Sequence, residues 1–130
     1  MQTRANMGST EIPREKWVGF FDEFSKQRKG WVVTVEVLGA DLGDQEEANG
    51  LPLVGISADV RDRENRITIM VGDRPDAHLT RIINNPKRVW VKMPEEAAHE
   101  ALEVEDEDGT RTLVSFRHIL AEETDRQLQA

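Results

Sequence analysis

The sequence predicts an α+β fold, in which an N-terminal amphipathic helix packs on a bent, mainly antiparallel sheet. Apolar residues first recur at helical spacing and then, from Trp31 onward, at every second position. Most of the alternating segments are joined by short polar links, which favours antiparallel pairing. We therefore expect a sheet, or a small partly open barrel, of about five to six strands, with a short second helix.

The helix is predicted between Pro13 and Gly30. Pro13 suits a first helical turn, where its missing N–H costs nothing, and Gly30 can supply the left-handed residue that ends the helix. Between them, aromatic residues at spacings of three and four form one apolar stripe, namely Trp17, Phe20, Phe21 and Phe24. This stripe needs an apolar surface to cover, and one face of the sheet can supply it.

Six later segments alternate apolar and polar residues and are predicted to be strands. They are "WVVTVEVL", "LPLVGISADV", "RITIMVG", "KRVWVKM", "ALEVED" and "RTLVSFR". The polar segment "GADLGDQEEANG" is predicted to be a loop. The segment "DAHLTRIINNP" is predicted to be the second helix, with Asp76 as N-cap and Pro86 as its stop. We expect a disordered leader over 1–10, a single α+β domain over 11–120 and a flexible acidic tail over 121–130.

The charge of the chain argues against several classes of partner. Its formal net charge is −8, and residues 95–130 carry eleven acidic against three basic side chains. An acidic surface repels phosphate backbones, so neither nucleic acid nor an anionic membrane is an expected partner. No run approaches the roughly 18 apolar residues that cross a bilayer. Without cysteine there is no disulfide, thiolate nucleophile or cysteine-ligated zinc, and a cytoplasmic location is expected.

The segment "EVEDEDGTR" has two interpretations, a metal-binding loop or the tip of a hairpin. In an EF-hand frame with Gly109 sixth, Val104 is first and Ser115 twelfth, so two of the required ligands are absent. Asp108-Gly109 is typical of a two-residue type I′ turn. That turn places Asp106 opposite Arg111, and Val104 opposite Leu113. The hairpin is therefore predicted and no metal site is, although weak calcium association stays open.

Six residues are candidate binding residues: Asp73, Arg74, Asp76, His78, Arg81 and Trp90. The first five cluster on a predicted strand-to-helix connection, where binding residues often lie. Ordinary turn and capping chemistry accounts for the same residues. Trp90 alternates with apolar neighbours, so it lies either at an interface on the outer face of its strand or within a strand covered on both faces. No motif for a catalytic nucleophile, nucleotide or cofactor is present, so no catalytic residue and no cofactor are predicted.

The stretches "IPREKW", "GWVVTVEVLGADLGDQEEANGLPLVGISADV" and "VSFR" carry a resemblance that spans Ile12 to Arg117. With the "LPLVGIS" segment and the final "DG-T-V-FR" hairpin, the chain resembles a family of small bacterial proteins known only as a domain of unknown function. This resemblance implies no activity, cofactor or catalytic residue. A looser similarity, through "GISADVRDREN", is to the Sm-like fold, which also has an N-terminal helix before bent antiparallel strands.

These observations favour a non-enzymatic module for protein interaction or assembly, with homodimerisation as a natural way to cover exposed strand edges. Two alternatives stay open. One is a small ligand-binding or hydrolase domain centred on the loop over residues 73–81. The other is an Sm-like RNA-binding ring, which the acidity of the chain disfavours.

Overall fold

The structure is a computed structural model that describes residues 9–39, 43–61, 64–92 and 99–117. Within these ranges the chain forms one α-helix, a 3₁₀ turn and eight strands. In chain order they are β1 (Ser9–Glu11), the 3₁₀ turn (Arg14–Lys16), α1 (Trp17–Arg28), β2 (Val32–Gly39), β3 (Gly43–Asp59), β4 (Arg66–Arg74), β5 (Ala77–Asn84), β6 (Pro86–Lys92), β7 (His99–Asp106) and β8 (Arg111–Arg117). The tail predicted over 121–130 lies outside the described residues, as do residues 1–8 of the predicted leader.

The predicted N-terminal helix is confirmed. Pro13 precedes the 3₁₀ turn, and Gly30, with φ of 86°, follows the helix in the left-handed conformation. Three of the four aromatic residues in the stripe are buried, and Phe20 is half-buried. The helix is held on the sheet by Ser25, whose hydroxyl donates to the carbonyl of Ile56 (3.0 Å) and accepts from its N–H (2.9 Å).

The strands form one antiparallel sheet in the order β1-β6-β7-β8-β2-β3-β4-β5. Its two ends are brought together by the chain itself, because β5 and β6 are joined by the single residue Asn85. On a flat sheet those two strands, six positions apart, would be separated by roughly 29 Å at the usual spacing. Two consecutive peptide links span only about 7 Å. The sheet must therefore curl, although it is not closed, since β5 and β6 meet end to end.

Asn85 joins the two halves of the curled sheet through both of its backbone polar groups. Its N–H donates to the carbonyl of Asn65 before β4 (2.9 Å), and its carbonyl accepts from the N–H of Glu107 beyond β7 (3.0 Å). Asn85 adopts a left-handed conformation with φ of 56°, which asparagine tolerates better than most residues. The side chain of Asn65 in turn accepts from Arg14 (2.8 Å), so the start of the helix is tied to the same point.

The core lies inside the curl and beneath α1. Its large fully buried side chains come from α1 and from every strand between β2 and β8 except β5, which contributes the nearly buried Ile83. They are Trp17, Phe21, Val33, Val35, Leu53, Ile67, Ile69, Val71, Val89, Leu102, Val104 and Phe116. The predicted β3–β4 hairpin is confirmed, with Ile56 opposite Ile69.

The predicted second helix is wrong, because the segment "DAHLTRIINNP" contains strand β5 and the start of β6. Thr80, Ile82 and Ile83 are β-branched, and β5 pairs with β4 along almost its whole length. Tertiary pairing therefore overrode the apparent cap at Asp76 and the stop at Pro86. The sheet accordingly has more strands than the five to six expected.

The predicted loop "GADLGDQEEANG" is also wrong over Gly43–Gly50, which forms the first half of β3. Pairing with β2 satisfies the backbone groups along one edge of this segment, while its side chains, apart from buried Ala48, face solvent. A strand exposed on both faces shows no alternation of apolar residues, which explains why the pattern missed it. Ser9 and Thr10, which fall within the leader predicted over 1–10, lie in β1.

The end of α1 is fastened to β7 by a largely buried ion pair. The guanidinium of Arg28 donates through Nε to Oε1 of Glu100 (2.5 Å) and through Nη2 to Oε2 (2.7 Å). The same guanidinium lies 3.9 Å from the ring centroid of Phe24, whose ring packs edge-on against Phe116. This bidentate geometry fixes the orientation of the helix against β7.

We expect Glu100→Gln to lower the free energy of unfolding by about 3 kcal/mol, because Arg28 would remain buried without its counter-charge. Chemical denaturation measures the difference. The matched control is Asp22→Asn, which removes a partner of Lys26 from an ion pair on the exposed face of α1. That change should lower stability by about 0.5 kcal/mol or less. Equal effects of the two substitutions would contradict the assigned role of Glu100.

Candidate functional site

Four of the six candidate binding residues lie at the tip of the β4–β5 hairpin. Pro75 and Asp76 form its turn, and Asp73, Arg74 and His78 flank them. Nδ1 of His78 lies 3.1 Å from the carbonyl oxygen of Arg74, and Nε of Arg74 lies 3.5 Å from Oδ1 of Asp76. These contacts are local and exposed, as expected for a polar turn.

The hairpin tip is tightly packed at Gly72. A Cβ at this position would lie 2.2 Å from the carbonyl oxygen of Ala77, and the residue has φ of 85°. Only glycine satisfies both constraints. A shallow groove of about 370 Å³, which we call the hairpin groove, runs over the outer face of the hairpin beside Gly72. Asp73, Arg74 and His78 line it beside the exposed apolar residues Val54 and Met70.

The other two candidate residues lie elsewhere. Arg81 is on the inner face of β5, and its Nε donates to the hydroxyl of buried Thr112 on β8 (3.2 Å). Trp90 is half-buried on β6, directly opposite Glu11 on one side and Glu103 on the other. The structure therefore brings together Asp73, Arg74, Asp76 and His78 but not all six. A ligand-binding or hydrolytic site at the hairpin would lack the guanidinium of Arg81.

The side of Trp90 was left open by its sequence pattern, and the strand register decides it. Trp90 lies between Val89, which is in the core, and Val91, which packs against the core, so its side chain is on the outer face of the sheet. Beside it, Glu103 is only 5% exposed although it is on the same outer face. Its carboxylate lies 2.6 Å from Nζ of Lys92 and 3.3 Å from Nη1 of Arg111. The charge of Glu103 is thus compensated by two cations.

The acidic hairpin is confirmed, but its turn and register differ from those predicted. The N–H of Asp106 donates to the carbonyl of Thr110 (3.0 Å), so the loop closed by this pair has three residues, Glu107 to Gly109. Among them only Gly109 has positive φ, as in a type I turn followed by a bulge. Oδ1 of Asp106 accepts from the N–H groups of Asp108 (2.9 Å) and Thr110 (3.0 Å). Arg111 therefore lies opposite Glu105 rather than Asp106, and Thr112, rather than Leu113, lies opposite Val104. This register puts Val104 and Thr112 together in the core.

Within the described ranges, no group of three or more histidine or acidic side chains is arranged to hold a metal ion. The same ranges contain no helix long and apolar enough to cross a membrane.

Comparison with known proteins places this architecture in one family. The model of a family of unknown function, DUF5335, matches residues 8–125. The chain belongs to the DUF5335 family. An uncharacterised protein of Aquifex aeolicus (strain VF5) is 33% identical over 111 residues, which are 85% of this chain and 94% of that protein. No solved structure matches the chain. The resemblance noted from the sequence motifs is thereby confirmed.

Sequence reasoning missed two features of this DUF5335 protein. The first is the edge of β5, which no other described strand pairs with and which carries exposed Ile82; the β-branched run in "LTRII" could have indicated it. The second is a groove along α1 beside Gly19, for which a glycine within a helical pattern was an available signal. Both features depend on which faces the fold leaves uncovered.

We expect micromolar calcium to leave the melting temperature of this DUF5335 protein unchanged. Glu103 is paired with two cations, and an oxygen of Asp106 already accepts two backbone N–H groups. Carboxylates so engaged are poor candidates for the six or more oxygen ligands that calcium requires. Differential scanning fluorimetry with calcium, and with magnesium as a control, measures the effect. A calcium-specific rise of several degrees would overturn this interpretation of the acidic hairpin.

Proposed function

We propose that this protein is a non-enzymatic interaction module that forms a homodimer by pairing β5 with β5 of a second copy. The observation that carries the proposal is the character of the β5 edge. β5 is eight residues long, ends the sheet, and has no strand on its other side among the described residues. An exposed edge of this length is a template for pairing with another chain.

The β5 edge lacks the protection that edge strands usually carry. Its one Lys or Arg residue, Arg81, is on the inner face and is bonded to Thr112, so the outer row is His78, Thr80, Ile82 and Asn84. The opposite end of the sheet is different, since β1 has only three residues and ends at Glu11. A short or charged edge discourages pairing, whereas a long edge with little charge favours it.

The outer face next to this edge carries exposed apolar side chains, which we call the outer patch: Val54, Met70 and Ile82. Met70 lies directly across from Thr80, and Thr68 from Ile82, so the patch continues to the edge of the sheet. Strand pairing at β5 would extend this face into a second copy and bury part of its apolar area.

The charge pattern supports one symmetric register. A two-fold axis perpendicular to the sheet puts the outer faces of both copies on the same side. Even-numbered residues of β5 must then pair with even-numbered residues of the second copy, and odd-numbered with odd-numbered. Two such registers pair seven residues of β5, one centred on Thr80 and the other on Arg81. Centring on Arg81 would place the two guanidinium groups opposite each other, which is unfavourable. We therefore place the axis at Thr80, with His78 opposite Ile82 of the second copy.

We expect Ile82→Lys to weaken self-association at least about tenfold, because it introduces a charge into the paired outer row. Sedimentation equilibrium measures the dissociation constant. Val18→Lys is the matched control, since Val18 on α1 is 50% exposed and Ile82 is 51% exposed. That control should dimerise as the natural chain does. A chain that is monomeric at millimolar concentration, or equal weakening by both substitutions, would refute the proposal.

Because the chain contains no cysteine, a single introduced cysteine reports the register. Thr80→Cys should form a disulfide-linked dimer under mild oxidation, since the two-fold axis brings the two Cβ atoms within about 5.5 Å. His78→Cys is the control, because residue 78 lies away from the two-fold axis and is therefore not opposite residue 78 of the second copy. Non-reducing electrophoresis measures both rates. Faster crosslinking of His78→Cys would contradict the register.

A further inference from the structure

A second surface, along α1, has properties that the β5 edge does not explain. A groove of about 540 Å³ lies between β1 and the start of α1, and one of about 260 Å³ continues toward the end of the helix. Both are lined by Gly19 and Phe20, so they form one surface, which we call the helix groove. Its other apolar lining residues are Ile12, Pro13, Phe24 and Val91.

The helix groove is a wedge between α1 and the inner face of the sheet at its β1 end. Thr10 and Val91 lie directly opposite each other on β1 and β6 and therefore share a face. Val91 packs against the core, which identifies that face as the inner one. The wedge opens at β1, which has no neighbour on its outer side among the described strands.

Gly19 keeps the wedge open. Its φ is not positive, so its backbone does not require glycine. No atom lies within 4 Å of the position that a Cβ would occupy, so core packing does not require glycine either. Glycine inside a helix costs up to about 1 kcal/mol relative to alanine. The absence of a side chain at Gly19 leaves the groove continuous past Phe20.

The rim of the groove is acidic. Glu11 and Glu15 border its first part and Glu23 its second, and all three are exposed. The lining cations are Lys16 and Arg28, and Arg28 is already paired with Glu100. An apolar floor with an acidic rim is complementary to a chain that carries apolar and basic side chains.

We propose that the helix groove binds an extended segment of a partner protein with alternating apolar and basic side chains. The segment would lie along the groove between α1 and β1. Its apolar side chains would enter the wedge against Phe20, and its basic side chains would meet Glu11, Glu15 and Glu23. The surface is separate from the β5 edge, so this proposal does not depend on homodimerisation.

The test uses the full chain and a fluorescein-labelled heptapeptide of sequence Val-Lys-Val-Thr-Val-Lys-Val. A matched peptide replaces each lysine with glutamate. Fluorescence anisotropy should show saturable binding of the lysine peptide, and at least about tenfold weaker binding of the glutamate peptide. Added salt should weaken the binding of the lysine peptide. Failure of the lysine peptide to saturate, or equal binding of both peptides, would overturn the proposal.

Two substitutions at one position separate the groove from the general acidity of the chain. Gly19→Leu fills the groove and should weaken binding of the lysine peptide at least about tenfold, whereas Gly19→Ala should change it by less than about threefold. Both should raise the melting temperature, because each removes a helical glycine. Unchanged affinity of Gly19→Leu would refute the site. A fall in melting temperature with leucine but not with alanine would show that the chain itself occupies the groove, which would also refute it.

Discussion

The architecture depends on one residue, Asn85, which carries the chain from one end of the sheet to the other. Its N–H bonds to the carbonyl before β4, and its carbonyl accepts from the turn after β7, so both halves of the sheet are held at this point. Because β5 and β6 are six positions apart in the sheet, a one-residue connection is possible only if the sheet curls. The curl encloses the core and brings Arg81 on β5 within hydrogen-bonding distance of Thr112 on β8.

The same constraint leaves the described sheet partly uncovered at both ends of its strand order. β5 and β6 meet end to end and do not pair side by side, so β5 keeps a free edge within the described part of the chain. At the other end, β1 borders β6, and α1 covers the sheet only in part, which leaves the wedge beside Gly19. The ion pair between Arg28 and Glu100 holds the far end of α1 against β7. The β5 edge and the helix groove are thus both accessible because the sheet does not close completely.

The candidate binding residues show why the sequence predicts only part of which side chains lie together. Asp73, Arg74, Asp76 and His78 are close in sequence, and a tight turn keeps them together whether a strand or a helix follows. Arg81 was grouped with them on a predicted helix, but strand alternation sends its side chain to the inner face. Side chains on one face recur every 3.6 residues in a helix and every two residues in a strand. The change from the predicted helix to the observed strand thus moved Arg81 out of the cluster. In the sequence, Glu103 is only one of the acids of "EVEDEDGTR", and the register is what places Lys92 and Arg111 beside it.

The sequence by itself determined the helix, the strands that alternate, the antiparallel pairing and the acidic character of the C-terminal third. These properties follow from local periodicity and composition, which each segment carries independently of its neighbours. Only the tertiary structure decided the strand identity of residues 77–84 and 43–50, the register of the acidic hairpin, the orientation of Trp90 and the position of the open edges. Each depends on which segments pair and on which side, and backbone hydrogen bonds between distant segments can override a local preference. In this protein the surfaces proposed for binding belong to the second group.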